Sequence, residues 1–101
     1  MADDGGHLLY LERMNGAKLG AIETAQKKAR SAVLFARPTK ALEDIIAAGR
    51  NAMLLLPGAT PIQGGLPLVH EDQLVGGVGV SGVASADDEK IAAAGAAALA
   101  P

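Results

Sequence analysis

The chain has 101 residues, half of them hydrophobic, with alanine the commonest, and its only aromatic residues are Tyr10 and Phe35. That length implies one domain, residues 1–101, whose small side chains bury little area each, so close helix packing or subunit contacts must supply stability and a homo-oligomer is expected. The absence of cysteine excludes thiolate metal sites, cysteine nucleophiles and disulfides. No apolar run approaches the roughly 20 residues of a membrane span, so no membrane partner is expected. The acidic start Met1-Ala2-Asp3-Asp4 is unlike a signal peptide, which makes the cytoplasm the expected location.

The formal charge is −2, but the charges are segregated. Arg13, Lys18, Lys27, Lys28, Arg30, Arg37 and Lys40 face only Glu23 in their stretch of chain, whereas Glu71, Asp72, Asp87, Asp88 and Glu89 share a stretch with no basic residue. Such asymmetry steers an anion or docks a partner. The basic stretch lacks interleaved aromatics and the domain is acidic overall, which argues against nucleic acid.

In chain order, Asp4-Gly5-Gly6 is a turn and His7–Met14 alternates as a strand, with His7, Leu9, Leu11 and Arg13 on one face. A turn of this kind joins two strands, yet only four residues precede Gly5, so the first half of a hairpin is missing. Asn15-Gly16 makes the next turn. A helix is predicted over Leu19–Phe35, its inward stripe being Ile22, Ala25, Ala29, Ala32, Val33 and Ala36. Pro38 breaks the chain, and Thr39 caps a second helix over Lys40–Leu55. Pro57–Gly65 is a loop long enough to be functional. Leu66–His70 and Gln73–Val80 form a hairpin with Glu71-Asp72 at its tip; Leu74, Gly76, Val78 and Val80 share one face, and Val75, Gly77, Gly79 and Ser81 the other. Ser85 opens a last helix in a near capping box with Asp88, and the alanine-rich tail Ile91–Ala100 continues it.

Candidate chemistry is sparse. Gly76, Gly77 and Gly79 within one strand indicate close approach of a flat ligand or of another backbone, a helix or subunit included. They match neither the GxGxxG fingerprint nor a P-loop. His7 and His70, the only histidines, are the candidate haem or metal ligands, with Met14 and Tyr10 as further options, but no metal-cage spacing links them. Ser81 is not in a nucleophile-elbow motif. Arg13, Lys28 and Arg37 are candidate partners for a carboxylate or propionate.

Taken together, Gly5-Gly6-His7-Leu8, Glu12-Arg13-Met14-Asn15-Gly16-Ala17, Lys28-Ala29-Arg30, Phe35-Ala36-Arg37-Pro38-Thr39, Gly64-Gly65-Leu66-Pro67-Leu68, Val75–Gly82 and Asp88-Glu89 resemble the GlcG/HbpS-like haem-degrading family, which includes the carboxy-terminal domain of PduO-type proteins. The resemblance implies an α/β domain of the two-layer α+β kind, with a mainly antiparallel sheet, assembled into oligomers that include octamers. It also implies haem or another tetrapyrrole as ligand, with iron handling or haem breakdown in some members. Relative to the family Glu71-Asp72 replaces the usual Asp-Gly tip, and the chain lacks a first helix and strand, so either a misassigned or truncated start, which is favoured, or cover from another chain is expected. The candidate ligand site comprises His7, Arg13, Arg37, Gly64, Gly65, Pro67, Gly77, Gly79 and Ser81, with His7 or His70 on iron. The alternatives are an oligomeric assembly domain and, third, an enzyme on a small oxygenated metabolite with Asp88 or Glu89 as base.

Overall fold

A computed structural model describes residues 1–98; the last two residues of the predicted terminal helix, Leu99 and Ala100, lie outside the described residues. In chain order the elements are β1 (Ala2–Asp3), α1 (Leu19–Phe35), α2 (Thr39–Ala47), a 3-10 helix (Asn51–Leu55), β2 (Gly65–His70), β3 (Gln73–Gly79) and α3 (Ser85–Ala97). The strands form one antiparallel sheet in the order β1-β3-β2. Helices α1 and α3 both pack on β2 and β3, giving the expected α+β architecture.

The α1 helix has the predicted bounds. Ala29, Ala32 and Val33 are buried at helical spacing, while Ala36, expected inward, is exposed because it ends the helix instead. Ala36 is left-handed, with φ 50°, and the amides of Ala36 and Arg37 return to the carbonyls of Val33 and Ala32. That pair of bonds is a Schellman stop with alanine in the place glycine usually takes, and Pro38 follows it.

The second helix is shorter than predicted. It stops at Ala47, and Gly49, with φ 109°, closes it while the Gly49 and Arg50 amides bond back to Ile46 and Ile45. Gly49 stands at the C′ position, the stop signal that the reading of one helix over Lys40–Leu55 passed over. The 3-10 helix after it leaves Leu55 84% exposed. Thr39 does not cap α2: Pro38 holds the cap position, and the Thr39 hydroxyl turns to Gly65, accepting its amide at 2.9 Å. Ser85 makes no capping bond either; Ala84 precedes α3 as its cap residue, and Asp88 is engaged elsewhere.

The hairpin turns through Glu71 (φ 51°) and Asp72 (φ 61°), a two-residue loop with both residues left-handed. This is the twist-matched geometry for joining antiparallel strands, and an acidic pair adopts it here. Leu68 pairs with Gly76 but Val69 pairs with Leu74, so the ladder carries an irregularity beside Val75. One extra residue inverts the alternation. Leu74 consequently packs on the cluster of Ala2, Ala29 and Val33, the α1 side that also receives Gly77, and not on the opposite face as simple alternation predicts.

The predicted strand His7–Met14 is not formed. Only Leu8 bridges to Ala2, and the Met1 carbonyl accepts from Leu9 at 2.9 Å. Its partner β1 does supply the first half of the hairpin, but with two residues only. Beyond Tyr10, whose carbonyl accepts from the Met1 ammonium at 2.7 Å, the segment has no neighbouring strand to pair with among the described residues.

Candidate functional site

Two regions bring the candidate residues together, and they differ in kind. The first is the junction of α1, α3, β2 and β3. Lys28 is 1% exposed and Asp88 2%. The Lys28 ammonium donates to the Val80 carbonyl at 2.9 Å and to Asp88 Oδ2 at 3.2 Å, while Asp88 Oδ1 accepts the Val83 amide at 3.1 Å. The pair ties the middle of α1 to the end of β3 and the start of α3. A buried pair of charges is tolerated only when further bonds satisfy each partner, and here both have them. Lys28 falls three residues after Ala25 and four before Ala32, so its helical position already places it on the buried stripe; that spacing is the signal by which the pair was legible.

Gly64 and Gly65 serve this junction. Gly64 holds φ 131°, and a Cβ on it would lie 2.8 Å from Lys28 Nζ. A Cβ on Gly65 would strike the Lys28 carbonyl, and one on Gly79 the Ala25 carbonyl. A Cβ on Gly77 would lie 2.8 Å from Val33 Cγ2. The sheet face of Gly77 and Gly79 is therefore filled by the α1 backbone, the close helix–sheet approach that glycine permits. Pro67, opposite Gly77 on the edge strand β2, is half-buried, as is Ser81 just beyond β3. Buried Ser31 accepts the Thr60 amide at 3.1 Å, and Gln63 bonds Glu43 through its amide and Glu89 through its side chain, which fastens the loop before β2. No buried side-chain polar atom among the described residues lacks a partner. Asp88 is thus committed to Lys28 and Glu89 to Gln63.

The second region is the amino-terminal turn. Asp3 Oδ1 accepts the amides of Gly5 and His7, each at 2.9 Å, and lies 3.3 Å from His7 Nδ1. The His7 amide bond is the main cause that holds the Asp3 carboxyl below its ordinary range. The imidazole is 82% exposed. A carboxylate beside Nδ1 favours the tautomer with its proton there and leaves Nε2 as the lone-pair donor, the arrangement common to histidines that ligate metals. Around it Leu8, Leu9, Tyr10, Leu11 and Met14 are all exposed. Beside it a cavity of about 330 Å³ runs between the turn and α1, and a second of about 210 Å³ continues past Arg30 toward Gly58 and Thr60.

The remaining candidates stand apart. Arg13 and Arg37 are exposed, and among the described residues their guanidinium groups bond only the nearby carbonyls of Ala17 and Phe35. His70 ends β2, 3.8 Å from Glu71. With strands about 4.8 Å apart and ~3.4 Å per residue, the sheet register sets the Asp3 and His70 backbones roughly 12 Å apart. Among the described residues no three histidine or acidic side chains gather to hold a metal, and no helix is long and apolar enough to cross a membrane.

Comparison with known proteins agrees with this architecture. GlcG of Escherichia coli K12 is 46% identical over 81 residues, 80% of this chain, which spans 60% of the length of GlcG. The crystal structure of the PduOC–haem complex superimposes with a TM-score of 0.85 at 31% identity, covering 97% of this chain and 74% of PduOC. A Streptomyces reticuli HbpS double mutant gives a TM-score of 0.86 at 35% identity over 97% of this chain and 67% of its own. The family model described as "Haem degrading protein HbpS-like" matches residues 1–97, and the chain belongs to that family.

Proposed function

We propose that this chain binds haem or a closely similar tetrapyrrole, with His7 as the iron ligand. The observation that carries the reading is the Asp3–His7 pair: an exposed imidazole oriented through Nδ1 by a carboxylate, on a turn bordered by exposed Leu8, Leu9 and Tyr10. Membership of the HbpS-like family and the likeness to a solved haem complex support the same ligand. The residues fit the group, since a tetrapyrrole presents apolar ring edges, an iron that takes a neutral imidazole, and propionates for cationic side chains. When bound, its iron supplies the redox and ligand-exchange chemistry; the protein orients the imidazole, covers the ring and pairs the propionates. Arg13, on the same segment as His7, is the exposed cation proposed for that last task, and Arg37 stands apart from it. Gly64, Gly65, Pro67, Gly77, Gly79 and Ser81 act beneath the site as scaffold rather than as its surface. The exposed apolar side chains of the amino-terminal segment suit a second subunit, and assembly into a homo-oligomer is part of the proposal.

Titration of haemin into the purified protein, followed at the Soret band, tests this. Saturable binding is expected, lost in His7→Ala and kept in His70→Ala. Loss in His70→Ala alone moves the ligand to the hairpin tip. No saturable binding by the parent protein leaves the second reading, an assembly domain, which the filling of the glycine strand by α1 favours.

A further inference from the structure

The α1 face that carries Lys27 and Arg30 is not used by the haem reading. Arg30 lies across a turn in room that two glycines leave: its Cγ lies 3.2 Å from where a Cβ on Gly6 would stand, and its Nη1 3.5 Å from the same point on Gly58. Both glycines are left-handed, at φ 82°, so neither place readily accepts a side chain that would displace the arginine. The guanidinium thereby sits where the two cavities meet, and Lys27 lines both. Among the described residues the Arg30 guanidinium has no ion pair and no hydrogen bond, although a planar fork of donors is the group best suited to a carboxylate. Lys27 has an exposed partner, Glu23 at 3.2 Å, which a bound anion can replace at little cost. The larger cavity has an apolar wall of Met1, Ala2, Leu8 and Ala29, while Glu23 and Gln26 line it on the side of Lys27. Its 330 Å³ is at the small end of ligand pockets.

We infer that this groove is a binding site for a small amphipathic carboxylate, with the carboxylate on Arg30 and Lys27 and the apolar body against Ala2, Leu8 and Ala29. The site needs no iron and stands whether or not haem binds at His7. Two features make it more than a basic surface: the cation without an acceptor lies in the room that two left-handed glycines leave, and one wall beside it is apolar and concave.

Hexanoate is the probe, followed by amide NMR shifts, with hexan-1-ol and inorganic phosphate as comparisons. Hexanoate is expected to give saturable shifts confined to Ala2, Gly6, Leu8 and residues 26–30, weakening as salt rises. Arg30→Gln should lower its affinity about fivefold, the scale of one exposed charge pair, and Arg30→Lys should restore part of it. Lys27→Gln gives an independent, smaller loss. Unchanged hairpin shifts show that each variant remains folded. Equal affinity in Arg30→Gln, equally tight hexan-1-ol, or shifts spread over Leu54 and Leu55 as well would overturn the site. Phosphate that binds as tightly as hexanoate would remove the apolar body from the ligand and overturn the carboxylate assignment.

Discussion

The glycine-rich hairpin and the amino-terminal turn are both rich in glycine and charge, yet one is sealed and the other open. At the hairpin every glycine meets a protein atom: helix backbone behind Gly65, Gly77 and Gly79, and the Lys28–Asp88 pair beside Gly64. At the turn the glycines leave room for a histidine and an arginine at the surface, with His7 Nε2 and the Arg30 guanidinium given no partner among the described residues. Glycine in a strand therefore reports that something comes close, and the identity of that neighbour decides between packing and binding. Here the neighbour of the strand is α1, and the surface chemistry lies one strand away.

The sealed junction should break with the largest effects. Asp88→Ala leaves the Lys28 ammonium buried without its carboxylate and is expected to cost about 4 kcal/mol in chemical denaturation. The paired replacement Lys28→Met with Asp88→Leu should recover most of that loss, because it removes both charges together. A double variant as unstable as the single one would show that volume, and not the pair, governs the junction.

Gly79→Ala comes next, at about 3 kcal/mol, since its methyl would press on the backbone of Ala25 and Ala29 rather than on a side chain able to move. Wild-type stability in this variant would mean that α1 stands off the strand, which would reopen the strand as a ligand platform. The opposite sign is expected at Ala36: Ala36→Gly relieves a left-handed alanine and should stabilise the fold by about 1 kcal/mol.

How much of this was legible varies with how local the cause is. The bounds of α1 and the hairpin follow from periodicity and turn residues within a few positions, and the residues yield both. The Gly49 stop was equally local, and a reading by apolar spacing alone ran through it. The face of Leu74 was not legible, because the irregularity at Val75 depends on pairing with β2. The order of His7–Met14 depends on the length of β1, another element, so alternation within the segment says nothing of it. In the site, histidine identity pointed to His7 and His70 alike, and the Asp3 carboxylate beside His7 separates them; Arg30 stayed hidden, because the room it occupies lies beside Gly6 and Gly58, which only the fold brings to it. Thr39 reads as a cap by sequence position, and its true partner, Gly65, is far along the chain.

The smallest expected effect concerns the turn itself and separates its geometry from its ion pair. The Asp3 carboxyl is held low chiefly by the His7 backbone amide; the Gly5 amide and the imidazole charge and side chain contribute less. A depressed carboxyl stabilises the turn fully above its ordinary value of 3.8 and loses that contribution as pH falls through its lowered native value. The amide shifts of Gly5 and His7 should therefore hold steady down to about pH 4 and move together below it. In His7→Ala the backbone donor remains, so the Asp3 midpoint should stay below 3.8, rising only by the part the imidazole supplies. A return to the ordinary value would make the imidazole the main partner of Asp3. A midpoint that stays low shows a turn shaped by its own backbone, with the His7 ring oriented by Asp3 yet free to give Nε2 to a ligand.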